Sequence, residues 1–283
     1  MRTETASEST PDPSPDLSSV SVVVIGGGTM GGAFVTAALA AGVEPGSLRI
    51  ANASEESSRE AAERLGATAG SVEDVAGADV VVLGVKPYQL DAVLPQIAEA
   101  LGEDTLVVSL AAGATLATLR EALGGHEGIV RAMPNTPMSI GEGVTALMAA
   151  DGATDVQRAL ARALLSASGL VEEIAEDKVH AMIGASGSGV AFLFYVMEAM
   201  IDEAVRQGLT RDLATRVVEQ TVRGAAGLVQ DSGENPALAR AAVCSPGGTT
   251  AEGIAALDRA GIRPGLASAM EAAAAKSRAL AGE

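Results

Sequence analysis

Val20-Ser21-Val22-Val23-Val24-Ile25-Gly26-Gly27-Gly28-Thr29-Met30-Gly31 is the stretch that decides the fold. Its first half is a β-branched, apolar run of strand length, and its second half is a glycine turn. The alanine-rich segment Gly31 to Ala41 that follows reads as a helix. Gly26, Gly28 and Gly31 therefore stand as G-x-G-x-x-G between a strand and a helix. In that setting the first glycine makes the tight turn and the second lets the backbone approach a pyrophosphate. The third lets helix and strand pack closely, with the anion on the helix N-terminus. The alternative, an ordinary glycine-rich loop, lacks any need for the flanking strand and helix.

Outward from this motif the α/β pattern continues. Leu48 to Ala51, Val80 to Val85, Leu106 to Leu110, Leu147 to Ala150 and Leu170 to Ile174 are short apolar runs. Between them lie helical stretches such as Glu55 to Leu65 and Asp155 to Ser166. Such alternation predicts a doubly wound parallel sheet. After about Glu176 the strand signals stop, and segments from Glu176 to Ala281 read as helices. The expected organisation is a disordered tail over 1–18, a Rossmann-type dinucleotide-binding domain over 19–175 and an all-α domain over 176–283. A helical second domain of this kind commonly carries a dimer interface.

Composition narrows the function. The chain of 283 residues carries 19 basic and 36 acidic side chains, a net charge of −17. No basic cluster exists to displace phosphate counterions, which excludes a nucleic-acid partner. One cysteine, Cys244, and two histidines, His126 and His180, offer neither a disulfide framework nor a cysteine- or histidine-rich metal site. Residues 1–18 lack the apolar region of a signal peptide. Ala181 to Met197 is uncharged but shorter than the ~20 residues of a membrane span, and Ser186 and Ser188 interrupt it. It reads as a buried helix, which leaves no membrane partner and the cytoplasm as location.

Further motifs carry chemistry. The tip of the second strand reads Ala51-Asn52-Ala53-Ser54, without the acid that binds a ribose 2′-hydroxyl in NAD-specific folds. A neutral tip accommodates a 2′-phosphate, so NADPH is expected, while Glu55 and Glu56 close by keep NADH admissible. Val85-Lys86-Pro87 ends another strand where ligands of open parallel sheets bind, although Lys86 reads equally as a solvated terminus. Small residues at Ala111 and Ala112 would admit a nicotinamide ring. Met133-Pro134-Asn135-Thr136-Pro137 reads as a rigid extended loop. Ser186-Gly187-Ser188-Gly189 breaks a helical region. Ser245-Pro246-Gly247-Gly248-Thr249-Thr250 precedes a helix, where successive N–H groups make a carboxylate-sized anion site. The threonines could instead cap that helix.

Taken in order, these segments resemble the pyrroline-5-carboxylate reductase family over roughly residues 20 to 280. The M-P-N-T-P and S-P-G-G-T-T segments are specific, whereas the glycine fingerprint is shared with many dehydrogenases. The resemblance implies NAD(P)H-dependent reduction of 1-pyrroline-5-carboxylate to proline by a homodimer that can assemble into decamers. It implies that Ile25, Gly26, Gly27, Gly28, Thr29, Met30, Gly31, Asn52, Ala53, Ser71, Val85, Lys86, Pro87, Ala111 and Ala112 serve the cofactor. Glu176, Gly248, Thr249 and Thr250 would hold the imino-acid substrate, the turn coming from the partner subunit, with Thr250 catalytic.

The chain departs from the family at Ile183, His180, Val190, Phe192 and Ala241-Ala242, where the family carries Thr, Asp, Pro, Tyr and a polar pair. Reduction of another cyclic imine, or cofactor binding without catalysis, are the alternatives. A β-hydroxyacid dehydrogenase fits poorly, because Lys178 is followed one turn on by Met182 where that group has asparagine. Cys244 reads as a small apolar filler and His180 as a helix-surface residue.

Overall fold

The computed structural model describes residues 15–282. The eight strands are β1 (Val22–Ile25), β2 (Leu48–Ala51), β3 (Thr68–Ala69), β4 (Val80–Leu83), β5 (Leu106–Ser109), β6 (Ile129–Pro134), β7 (Gly143–Ala149) and β8 (Gly169–Glu173). They form one sheet in the order β3-β2-β1-β4-β5-β6-β7-β8. The order runs outward from β1 in both directions, which makes the β1 end the switch point of a doubly wound, Rossmann-type sheet. One pair departs from the expected all-parallel sheet: β6 and β7 run antiparallel, with Arg131 opposite Met148. The segment expected as an extended loop supplies the end of β6. Thr136–Ile140 then forms a 3-10 turn, and the Asn135 side chain points inward to accept the Val144 N–H at 2.8 Å. A tight reversal of this kind brings the next strand back antiparallel, without a crossover helix.

Helices α1 (Thr29–Ala41), α2 (Glu55–Leu65), α3 (Leu90–Ala100), α4 (Leu116–Ala122) and α5 (Asp155–Leu165) cover the sheet. The strand side chains alternate between two cores. Val22, Val24, Val80 and Val82 meet Phe34, Ala61 and Leu164 on the face of α1, α2 and α5. Val23, Ile25, Val81 and Leu83 meet Leu94, Ile97 and Leu119 on the face of α3 and α4. A strand buried on both faces needs apolar residues at every position, which explains the unbroken valine runs.

The remaining helices are α6 (Val179–Met182), α7 (Gly189–Arg206), α8 (Arg211–Ser232), α9 (Pro236–Ala242), α10 (Thr249–Arg259) and α11 (Ile262–Ala281). Two compact units result. One runs to Met182 and regains the chain at Ser277, and the other is Ile183–Lys276. The division falls seven residues beyond the expected boundary at 175. In the first unit the imidazole Nδ1 of His180 lies 2.9 Å from the Ser277 hydroxyl and the residue is buried, so it is not the helix-surface residue expected.

Two further expectations change. Ala181 to Met197 belongs to a continuous helical run, Glu176–Arg206, of 31 residues. By length and composition this run is sufficient to cross a membrane, and only 17% of its most apolar window is buried within the chain. It is therefore neither short nor a buried helix. Ser186 falls in its π-helical turn, Ile183–Gly187, and Ser188 lies next to that turn, where the Ser188 N–H reaches back to the Ile183 carbonyl at 2.7 Å. Of the expected tail, residues 1–14 lie outside the described residues. Leu17 is 6% exposed within the same core as Val22 and Phe34. Truncating it to Ala should lower unfolding free energy by about 2 kcal/mol in a denaturant titration; an unchanged midpoint would show that this segment does not belong to the core.

Candidate functional site

The first unit holds a cleft of about 670 Å³ at the carboxyl ends of β1, β2, β4 and β5. Its floor is made by backbone in unusually close contact. Gly26 has φ +98°, a left-handed conformation that only glycine adopts readily. A Cβ on Gly31 would collide with the Gly26 carbonyl oxygen, and one on Gly84 would lie 2.5 Å from that oxygen and 2.9 Å from the Gly31 Cα. Three glycines from two crossing segments thus let the β1–α1 turn rest directly on the end of β4. Gly26 also donates to the Ala51 carbonyl at 2.8 Å, and Gly84 to the Ile25 carbonyl at 2.8 Å, which extends the sheet into the turn.

The strand tip of β2 then clamps this turn. The Asn52 side chain accepts the Gly27 N–H at 2.8 Å and donates to the Ser57 carbonyl at 2.8 Å. Arg64 donates to the Gly27 carbonyl at 3.0 Å from the other end of α2. Asn52 is consequently fixed in the cleft wall as a structural clasp.

The two helix N-termini at this end differ in a telling way. Helix α2 carries Glu55 and Glu56 in its first turn, and Ser54 caps it through the Ser57 N–H. Helix α1 has no acid in its first turn and no side-chain cap at Gly28, around which a Cβ would meet nothing within 4 Å. Its N–H groups and the positive end of its dipole are left facing the cleft, the arrangement that receives a phosphate group. Open space at Gly28 and an uncapped helix N-terminus, set directly above the Gly26–Gly31–Gly84 contact, fit a dinucleotide pyrophosphate.

Of the residues expected to serve the cofactor, Ile25, Gly26, Gly28, Thr29, Met30, Asn52, Ala53, Val85, Lys86, Pro87, Ala111 and Ala112 line this cleft. Gly27 and Gly31 are buried beneath it. Ser71 does not line it: its N–H donates to Asp74 at 2.8 Å to start a 3-10 turn, and the neighbouring Val72 reaches the cleft instead. Gly84, Ser57, Gln89, Val93 and Gln96 also contribute and were not anticipated. Gly84 sits in Gly84-Val85-Lys86-Pro87, and its role depends on a close approach to Gly31 that the sequence does not display.

Glu176 lies elsewhere in the first unit, on a polar groove shared with Arg120, Glu127, Arg158 and Glu173. One of its oxygens accepts the Leu116 N–H at 2.8 Å and the Arg131 guanidinium at 2.9 Å. Arg131 is 3% exposed, and its Nε has no hydrogen-bond partner among the described residues. An unsatisfied buried donor costs on the order of 1–3 kcal/mol.

Gly248, Thr249 and Thr250 belong to the second unit, at the start of α10. Gly248 occupies the cap position with no side-chain capping bond, so the threonine hydroxyls do not cap the helix. The Gly248 N–H donates to the Ser245 carbonyl at 3.0 Å. That bond removes Gly248 from the expected anion-binding trio and leaves the N–H groups of Thr249 and Thr250. Cys244, beside this turn, is half-buried rather than packed in a core. The second unit also has an apolar groove formed by residues such as Phe192, Val196, Met200 and Leu266.

The floor of the cleft predicts a sharp outcome. Gly84→Ala should weaken NADPH binding by about 10-fold or more, because its Cβ displaces the turn that presents the α1 N–H groups. Fluorescence titration of the bound nucleotide measures this, and an unchanged dissociation constant would contradict it.

Residues 176–280 match the family model described as pyrroline-5-carboxylate reductase dimerisation, and residues 21–113 match NADP oxidoreductase coenzyme F420-dependent. A pyrroline-5-carboxylate reductase 3 of Danio rerio is 38% identical over 277 residues, covering 97% of this chain and 96% of that protein. The solved structure of a pyrroline-5-carboxylate reductase from Coxiella burnetii superposes with a TM-score of 0.86 at 34% identity, covering 92% of this chain and 98% of that one. That of the Plasmodium falciparum pyrroline carboxylate reductase with NADP bound gives 0.84 at 27% identity, covering 94% and 99%. With the glycine cradle in its first unit and near full-length similarity at this level, the chain belongs to the pyrroline-5-carboxylate reductase family.

Proposed function

We propose that this chain reduces 1-pyrroline-5-carboxylate to L-proline with NADPH, the last step of proline biosynthesis. The observation that carries the reading is the uncapped, acid-free N-terminus of α1 over the Gly26–Gly31–Gly84 contact, in a chain of this family. When bound, the nicotinamide supplies a hydride. Gly28, Thr29 and Met30 would hold the pyrophosphate through backbone N–H groups. Ala111 and Ala112 leave room for the ring against the backbone. NADPH is favoured over NADH because the β2 tip offers no carboxylate, and the Asn52 side chain is already engaged by Gly27 and Ser57.

The substrate carboxylate docks on the N–H groups of Thr249 and Thr250, at the positive end of α10. The Thr250 hydroxyl hydrogen-bonds the ring nitrogen. Protonation of that nitrogen makes the imine carbon a strong hydride acceptor, so the protein has chiefly to orient the ring and exclude water. Glu176 completes the substrate contacts.

Assembly follows from the second unit. Leu193, Phe194, Tyr195, Val217 and Leu228 are exposed in the single chain, an apolar surface that water-facing helices rarely carry. A second copy covers it, supplies the Thr249–Thr250 turn to its partner's site, and such dimers can join into decamers. We infer that the reaction takes place in the cytoplasm. The apolar replacements at Ile183, Val190 and Ala242 favour one second reading, reduction of a larger cyclic imine on the same scaffold.

Steady-state NADPH oxidation separates these readings. Turnover with pyrroline-5-carboxylate is expected; turnover with larger cyclic imines alone would favour the second reading, and cofactor binding without turnover would mark a non-catalytic protein. Thr250→Ala should lower kcat by about 100-fold while leaving NADPH affinity intact. Unchanged kinetics would remove Thr250 from the chemistry.

A further inference from the structure

Arg131 is an expensive residue to keep where it is. It sits within β6 with a side chain 3% exposed, in a sheet whose other buried positions are almost all apolar. Its contact with Glu176 is made through Nη1 at 2.9 Å, and Nε has no partner among the described residues. An ion pair selected for stability would use the planar fork of the guanidinium on both carboxylate oxygens. Replacing such a buried pair by apolar side chains is commonly neutral or stabilising. The geometry instead concentrates two donors on one oxygen: Oε1 of Glu176 takes both the Arg131 Nη1–H and the Leu116 N–H. Oε2 makes no hydrogen bond among the described residues, on a carboxylate whose side chain is 30% exposed.

We propose that Arg131 is a positioning residue for the substrate site, hanging the Glu176 carboxylate from the sheet by one oxygen so that the other is presented in a fixed direction. The proposal rests on the reading that Glu176 contacts the substrate. Its physical logic is that a glutamate at the start of a short turn has three free side-chain rotations, whereas β6 is held on both sides by β5 and β7. Anchoring the carboxylate to the sheet removes that freedom before the substrate arrives. The charge also assigns what Oε2 meets. A carboxylate repels the substrate's own carboxylate and attracts the protonated ring nitrogen, so Glu176 faces the nitrogen side of the ring. The Leu116 N–H opens α4 just beyond Ala111 and Ala112, so the same oxygen also ties the loop beside the nicotinamide position to this frame.

The test uses the full-length enzyme with pyrroline-5-carboxylate and NADPH. Arg131→Met and the milder Arg131→Gln are compared with Glu176→Gln and with the Arg131→Met/Glu176→Gln double variant, each checked by thermal unfolding. The proposal predicts that Arg131→Met lowers kcat/KM for the imine by about 10-fold or more, with an unchanged NADPH dissociation constant. The double variant should be no worse than Glu176→Gln alone, and Arg131→Lys should restore part of the loss. If Arg131→Met does not fold, Arg131→Gln is read by the same criteria. A folded Arg131 variant with unchanged kcat/KM, beside an impaired Glu176→Gln, overturns the positioning role alone. Losses that add in the double variant and extend equally to NADPH affinity also overturn it, because they mark a purely structural residue. An unimpaired Glu176→Gln overturns the proposal through its premise, the contact between Glu176 and substrate.

Discussion

The contact among Gly26, Gly31 and Gly84 is the constraint on which the first unit depends. No side chain stands between the β1–α1 turn and the end of β4, so α1 begins directly above the sheet and aims its N-terminus across the strand ends. The β1–α1 wall of the cleft and the end of β4 are placed by this approach. Asn52 and Arg64 hold the turn from the β2–α2 side, and the two aliphatic cores fix the strands below it. The turn contributes no chemistry of its own. It contributes position, which is what a hydride transfer between two bound molecules most requires.

A chain with a net charge of −17 that binds a pyrophosphate and a carboxylate faces an electrostatic difficulty. The solution visible here is to use main-chain dipoles and, at α1, to keep acids out of the first helical turn. The first turn of α2 carries two glutamates and a serine cap, while that of α1 carries neither. At α10 the cap position is again glycine, and Gly248 satisfies its own N–H internally, leaving those of the two threonines. Arg131 is the exception, a buried cation whose task is to hold a protein carboxylate.

Much of this was legible in the sequence. Unbroken valine runs revealed strands buried on both faces, and the spacing of Gly26, Gly28 and Gly31 revealed the turn between them. The remainder depends on contacts distant in sequence. Gly84 reads as part of an apolar strand until Gly31 is seen against it. The role of Arg131 emerges only when Glu176 is brought beside it. The prolines of Met133-Pro134-Asn135-Thr136-Pro137 suggest a loop and so mask both β6 and its antiparallel pairing with β7. Leu17 was lost in a polar context, because one apolar residue carries no periodicity. The apolar run around Phe192 reads as buried, since sequence alone does not distinguish a core helix from one with an exposed apolar face.

The cleft, once loaded with NADPH, delivers a hydride to a cyclic imino acid. A single-turnover reaction tests it most directly, with enzyme-bound NADPH mixed with pyrroline-5-carboxylate and the products separated by chromatography. One proline is expected for each NADPH oxidised. NADPH held tightly in the cleft but neither oxidised nor matched by proline would contradict it.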